Sequence, residues 1–361
     1  GKAALGPVIR EYILSEAMAA LGVPTTRALA AVTTGEEVLR QEGPFPGAIF
    51  TRVASSHIRV GTFQYFAAQK DTDAVRVLAD YTIARHYPEA SNSPTRYVAF
   101  FKSVIKAQAD LIAHWMSLGF IHGVMNTDNC AISGETIDYG PCAFMDAFHP
   151  DCVFSSIDQQ ARYAWGNQPN IAVWNLTRLA ETLLPLFDDD EEKAVAIAED
   201  ALSEFSEYFG NQYMTRFRKK LGLTDTKNDD IIKNALSLIA SQQVDFTLFF
   251  RHLTSSVASD NSDATSALFS DKKAFKIWFS QWQGAVDSDK GLTAMQAANP
   301  ILIPRNHRVE QAIQGAYAGD YTQFNRLTEA LENPFKEQKQ YPDLETPPRP
   351  DEIVHETFCG T

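Results

Sequence analysis

The sequence predicts an α+β protein in two lobes, a small strand-bearing lobe followed by a large, mostly helical one. Three observations carry this. A helical pattern opens the chain and gives way to short β-branched and aromatic runs. From about residue 72 the apolar spacing is helical over most of the remaining length. A polar stretch, His122–Asn129 followed by Thr136–Gly140, interrupts those helices. With 361 residues, 45% of them hydrophobic and 21% charged, the chain can bury a large core.

Residues 7–21 place apolar side chains at helical spacing, with Pro7 near the start and Gly22 at the stop. Residues 27–34, 36–40, 47–54 and 57–66 read as antiparallel strands separated by Gly and Pro. Segments 72–87, 97–118, 171–187, 190–209, 211–221, 229–241 and 244–253 read as amphipathic helices. Residues 129–138 read as two short strands in a hairpin that carries Asn129 and Asp138. Trp165, Trp174 and the 171–187 stripe are expected in the core, and Asn299–His307 reads as a loop with a helix cap, the alternative being that its polar run helps shape a cleft. The expected organisation is therefore a strand-bearing unit 1–68, a helical unit 69–335 with a functional loop at 122–140, and a Pro-rich surface tail 336–361.

The formal net charge of -13 argues against nucleic acid as a partner, because a phosphate backbone needs a basic face. No run of about 18 apolar residues appears, so no membrane span is expected. The chain opens Gly1-Lys2-Ala3 without Met or a signal pattern; the expectation is a true N-terminus further upstream and a cytoplasmic location. The four cysteines, Cys130, Cys142, Cys152 and Cys359, are too few for a disulfide scaffold and form no CxxC pair. Cys359, on the polar tail, is a redox candidate.

The run His122-Gly-Val-Met-Asn-Thr-Asp-Asn129 carries the chemistry. Kinases place an Asp base two residues after such a His and a metal-binding Asn five residues after that Asp. Here Val124 stands at the base position, Asn129 keeps its spacing, and Asp138-Tyr-Gly140 stands where kinases have the Mg²⁺-binding Asp-Phe-Gly. The metal ligands are present, the usual base is absent, and Asp128 lies beside the metal Asn. Arg52 and Arg59 flank Ser55-Ser56. If a hairpin turns there, both guanidiniums suit a polyphosphate; otherwise they are edge charges facing water. In a kinase, a Glu of the first helix orders a strand Lys that grips the phosphates. Glu11 and Glu16 are candidates, yet that Lys would lie upstream, and Glu11 alone reads as a solvated helix residue.

Collinear blocks along nearly the whole chain resemble the selenoprotein O type of protein adenylyltransferase, a pseudokinase family. They are Ile9–Tyr12, Pro24–Ala28, Thr51–Gly61, His122–Asn129, Thr136–Pro141, Arg162-Tyr163, Asn167–Pro169, Trp174–Leu176 and Asn299–Asn306. The resemblance implies a protein-kinase-like fold in which ATP lies reversed, so that AMP passes to Ser, Thr or Tyr hydroxyls of proteins. It implies Asp128 as base, Asn129 and Asp138 on Mg²⁺ or Mn²⁺, Arg52 and Arg59 on the departing phosphates, and Glu11 ordering a Lys. Family members carry a further upstream stretch with a glycine-rich segment and that Lys. Some carry a redox-active residue near the C-terminus, which Cys359 matches; Cys152 stands near, though displaced from, the position of its disulfide partner. Two other functions compete: phosphotransfer to a small molecule, against which Val124 argues, and a catalytically dead binding module, favoured by the lack of the upstream stretch.

Overall fold

The computed structural model describes residues 2–40 and 43–358. Strand β1 (Ala3–Ala4) leads into helix α1 (Leu5–Ala20), whose buried Val8, Ile9, Ile13, Leu14, Ala17 and Met18 recur at the spacing of one helical face. Gly22 ends the helix. At φ +80° it turns the chain so that its own N–H reaches the carbonyl of Ala19 and the N–H of Val23 that of Met18, both at 3.0 Å. Two long strands follow, β2 (Arg27–Arg40) and β3 (Gly43–Val53), antiparallel with two irregularities in register. β3 is central, between β1 and β2.

The expected strand over 57–66 is instead helix α2 (Val60–Ala68). The Arg59 N–H donates to Thr62 Oγ1 at 3.1 Å, half of a capping box, and Val60 and Phe63 turn inward together. Helices α3 (Thr72–His86) and α4 (Arg96–Ser117) follow the expected bounds closely. Strand β4 (Phe120–Ile121) pairs with β5 (Ala143–Phe144), bracketing the polar stretch. The expected hairpin over 129–138 does not form. Ala131 bridges to Arg59 and Thr136 to Thr25, so each half pairs with the N-terminal segment and not with the other.

Helix α5 (Gln168–Phe187) is followed by α6 (Glu191–Lys220), one 30-residue helix where two were expected. It runs through Gly210, with acidic residues in its first turn and Arg218, Lys219 and Lys220 in its last, matching the helix dipole. Helices α7 (Asp229–Ser241) and α8 (Phe246–Ser259) agree with expectation in position. Five further helices, unread in the sequence, complete the described chain: α9 (Asp263–Ala267), α10 (Lys272–Gln283), α11 (Lys290–Ala298), α12 (Asn306–Tyr317) and α13 (Thr322–Leu331). One continuous core joins α1, α2, α4, α5 and α8. Trp165 belongs to it, but Trp174 does not: it is 37% exposed, with the Arg162 and Arg178 guanidiniums over its ring. No described helix is long and apolar enough to cross a membrane.

Candidate active site

The polar stretch is held rigidly from behind. His122 is fully buried, and burial holds its imidazole below the usual histidine range, hence neutral. Its Nε2 lies 2.9 Å from the Ile137 carbonyl and so carries the proton, while Nδ1 faces the Val124 N–H. One side chain thereby ties the two halves of the site together. From α5, Gln168 accepts the His122 N–H at 3.0 Å and donates to the Phe120 carbonyl at 3.1 Å. Asn175 donates to the Met125 carbonyl at 2.9 Å. From α4, Gln108 donates to the Ala131 carbonyl and Trp115 to Thr136 Oγ1, each at 2.8 Å. Gly123, at φ +82°, lies so close to the Pro141 carbonyl that no side chain fits there.

Asn129 donates its amide to the Val124 carbonyl at 3.1 Å, which leaves Oδ1 as an acceptor. Asp138 takes φ +70°, unusual outside glycine, and one of its carboxylate oxygens accepts the Gly140 N–H at 3.2 Å. Asp128 is exposed on a 3-10 turn, Thr127–Asn129. Its carbonyl accepts Arg59 Nη1 at 2.8 Å, and its Oδ1 lies against the bare Cα of Gly61 in α2.

Glu11 is not a solvated helix residue. Its carboxylate accepts Arg52 Nη2 at 2.9 Å and the Tyr139 N–H at 2.8 Å. Burial pushes this carboxyl above the usual range and the nearby Asp138 adds to that, while Arg52 opposes it. Arg52 and Arg59 do not meet across a hairpin; one is held by α1, the other by the Asp128 carbonyl. Glu16 faces outward and pairs with Arg27 at 2.6 Å.

Several residues to which sequence reasoning gave no role shape the site. Arg10, 7% exposed, donates Nε to the Gly140 carbonyl at 2.7 Å and Nη2 to that of Cys142. Tyr139 is buried with its hydroxyl against Thr25 Oγ1. Beyond the expected loop role, Arg305 forms a buried ion triad with Asp146 and Asp245, and Asn306 pairs with both the N–H and the carbonyl of Phe144. The tail returns to this region. Thr357 donates from N to the Phe154 carbonyl at 2.7 Å and from Oγ1 to the Pro141 carbonyl at 2.5 Å. Cys152 is half-buried and pairs with no other cysteine among the described residues, and burial pushes its thiol up to about 11. Cys359 lies outside the described residues.

Among the described residues no group of three or more His, Cys, Asp or Glu side chains is poised to hold a metal. The Asn129 amide oxygen and the Asp138 carboxylate are nevertheless hard oxygen donors of the kind that hold Mg²⁺ together with phosphate oxygens and water.

Residues 1–332 match the family model described as protein adenylyltransferase SelO. A protein nucleotidyltransferase YdiU of Rhodopseudomonas palustris (strain BisB5) is 56% identical over 370 residues, covering 100% of this chain and 75% of the relative. Its namesakes in Nitrobacter hamburgensis and Bradyrhizobium diazoefficiens are each 54% identical over 369 residues, covering 100% of this chain and 73% and 75% of those relatives.

Proposed function

Because this chain belongs to the SelO family of protein adenylyltransferases, nucleotidyltransferases that use ATP, we propose that the described site transfers AMP to Ser, Thr or Tyr hydroxyls of other proteins. The observation that carries this reading is the treatment of Val124. Its carbonyl receives the Asn129 amide, which supports reading this turn as a metal-holding loop, yet its buried apolar side chain offers no base. Asp128, exposed on a turn whose backbone carbonyl accepts Arg59 and with its carboxylate beside Gly61, is the carboxylate left to take a proton.

In this reading the substrate hydroxyl attacks the α-phosphorus of ATP, the bond to the bridging oxygen of the β-phosphate breaks, and pyrophosphate leaves. Asp128 accepts the hydroxyl proton. Asn129 and Asp138 would hold Mg²⁺ or Mn²⁺, which supplies positive charge to the phosphates. Arg52, aligned by Glu11, and Arg59 bind the departing phosphates. Glu11 thus orders an arginine of this chain in addition to any upstream Lys. The fold is read as protein-kinase-like, with residues 1–68 as the small lobe, 69–335 as the large lobe and 336–361 as the tail. A cytoplasmic setting and a redox role for Cys359 with Cys152 remain parts of the proposal.

The test is incubation with a protein acceptor and ATP labelled at either the α- or the γ-phosphate. Label from the α position alone on protein is expected. Transfer of the γ label alone means phosphotransfer, and transfer of neither means a binding module.

A further inference from the structure

We propose that a second cavity, lined by none of the residues of the active site, binds a small phosphorylated organic molecule. The cavity has a volume of about 500 Å³ and lies where the C-terminal ends of α4 and α6 meet α11. That volume is in the range of small-ligand pockets. Four cations line it: Arg216, Lys219, Lys220 and Lys290. Leu21, Leu118, Ala297 and Phe335 supply apolar wall for an organic moiety.

Lys220 is the decisive residue. It is 2% exposed, and among the described residues no carboxylate pairs with it. Its ammonium has only the Ala298 carbonyl at 3.4 Å and the rings of Phe250 and Phe246, at 4.3 Å and 5.5 Å. A buried cation without an anion is costly, and a phosphate entering the cavity would remove that cost. The dipole of α6 explains cations in its last turn but not why one of them is turned inward. Arg216 is held by Asp110 at 2.7 Å and Lys290 lies near Asp287, so carboxylates border the cluster without reaching Lys220. Lys219 and Lys290 are exposed at the mouth and suit an anion arriving from solvent.

The probe is pyridoxal 5′-phosphate, a phosphorylated aldehyde. A lysine amine adds to the aldehyde, water leaves, and added borohydride reduces the imine to a stable secondary amine that peptide mass mapping locates. Lys219, Lys220 or Lys290 should be labelled at a concentration at least about tenfold below that needed for Lys193 and Lys233, each 69% exposed. Inorganic phosphate should protect them. Arg216→Ala should weaken labelling about tenfold, the effect of one charge-assisted hydrogen bond. Thr293→Trp, at an exposed position on the cavity wall that tolerates a large side chain without disturbing the core, should block it. Labelling of the cluster no stronger than that of Lys193 and Lys233, or labelling insensitive to phosphate and to Thr293→Trp, overturns the proposal.

Discussion

The contact between Asp128 Oδ1 and the Cα of Gly61 separates activity from stability at a single residue. An added methyl in Gly61→Ala must displace the carboxylate, while alanine stabilises a helix over glycine by about 0.5–1 kcal/mol. The expected result is a protein that melts no lower than wild type yet transfers AMP about 10²-fold more slowly, in the direction of Asp128→Asn; unaltered turnover would remove Asp128 as the base. Asp138→Ala should abolish metal-dependent ATP binding, because uncompensated phosphate charge is left facing the site; calorimetry with and without Mg²⁺ reads this directly. Asp128, Asn129 and Asp138 stood out in the sequence as candidates, since their proposed chemistry is tied to spacing along one short stretch. Sequence reasoning misread Glu11, whose partners Arg52 and Tyr139 come from distant parts of the chain. Arg10 escaped notice for the same reason: a buried arginine serving two carbonyls leaves no local pattern.

At the scale of elements, the segment after Asp138 depends on its anchors to α8 and α12. Arg305→Met leaves Asp146 and Asp245 facing each other without a cation and should cost about 3–5 kcal/mol in urea denaturation. The sign of its pH dependence follows from Asp146, whose carboxyl burial already pushes above the usual range despite Arg305. Stability tied to the protonated form is present at low pH and lost as pH rises through the raised value. The deficit of Arg305→Met is therefore expected to be smaller at pH 5 than at pH 8, and a deficit independent of pH would contradict this. Most helix positions were legible from apolar period. Helices α9 to α13 went unread, Thr62 capping turned a strand-like run into α2, and α6 continued through Gly210. The halves of 129–138 found Thr25 and Arg59 as strand partners, which no local pattern could announce.

For the molecule as a whole, Lys220 gives a global readout of how tightly the helical part closes. Burial lowers its ammonium from 10.5 to about 7. A base with a depressed value contributes stability above its unfolded value that is lost as pH falls towards the folded one, at about 1.4 kcal/mol per pH unit. Lys220→Met, which keeps the volume, should therefore be more stable than wild type at pH 7, with the advantage shrinking towards pH 10. Equal stability at both values would mean that the ammonium reaches water. The Arg10 clasp has a bearing on inhibitor discovery. Compounds that select an outward-flipped Asp-Tyr-Gly segment would first have to release two carbonyls from one guanidinium, at about 1.5–3 kcal/mol each. That handicap of roughly 10²–10⁴ in affinity falls on them and not on compounds that accept the inward segment, so screens against this enzyme should enrich the latter class.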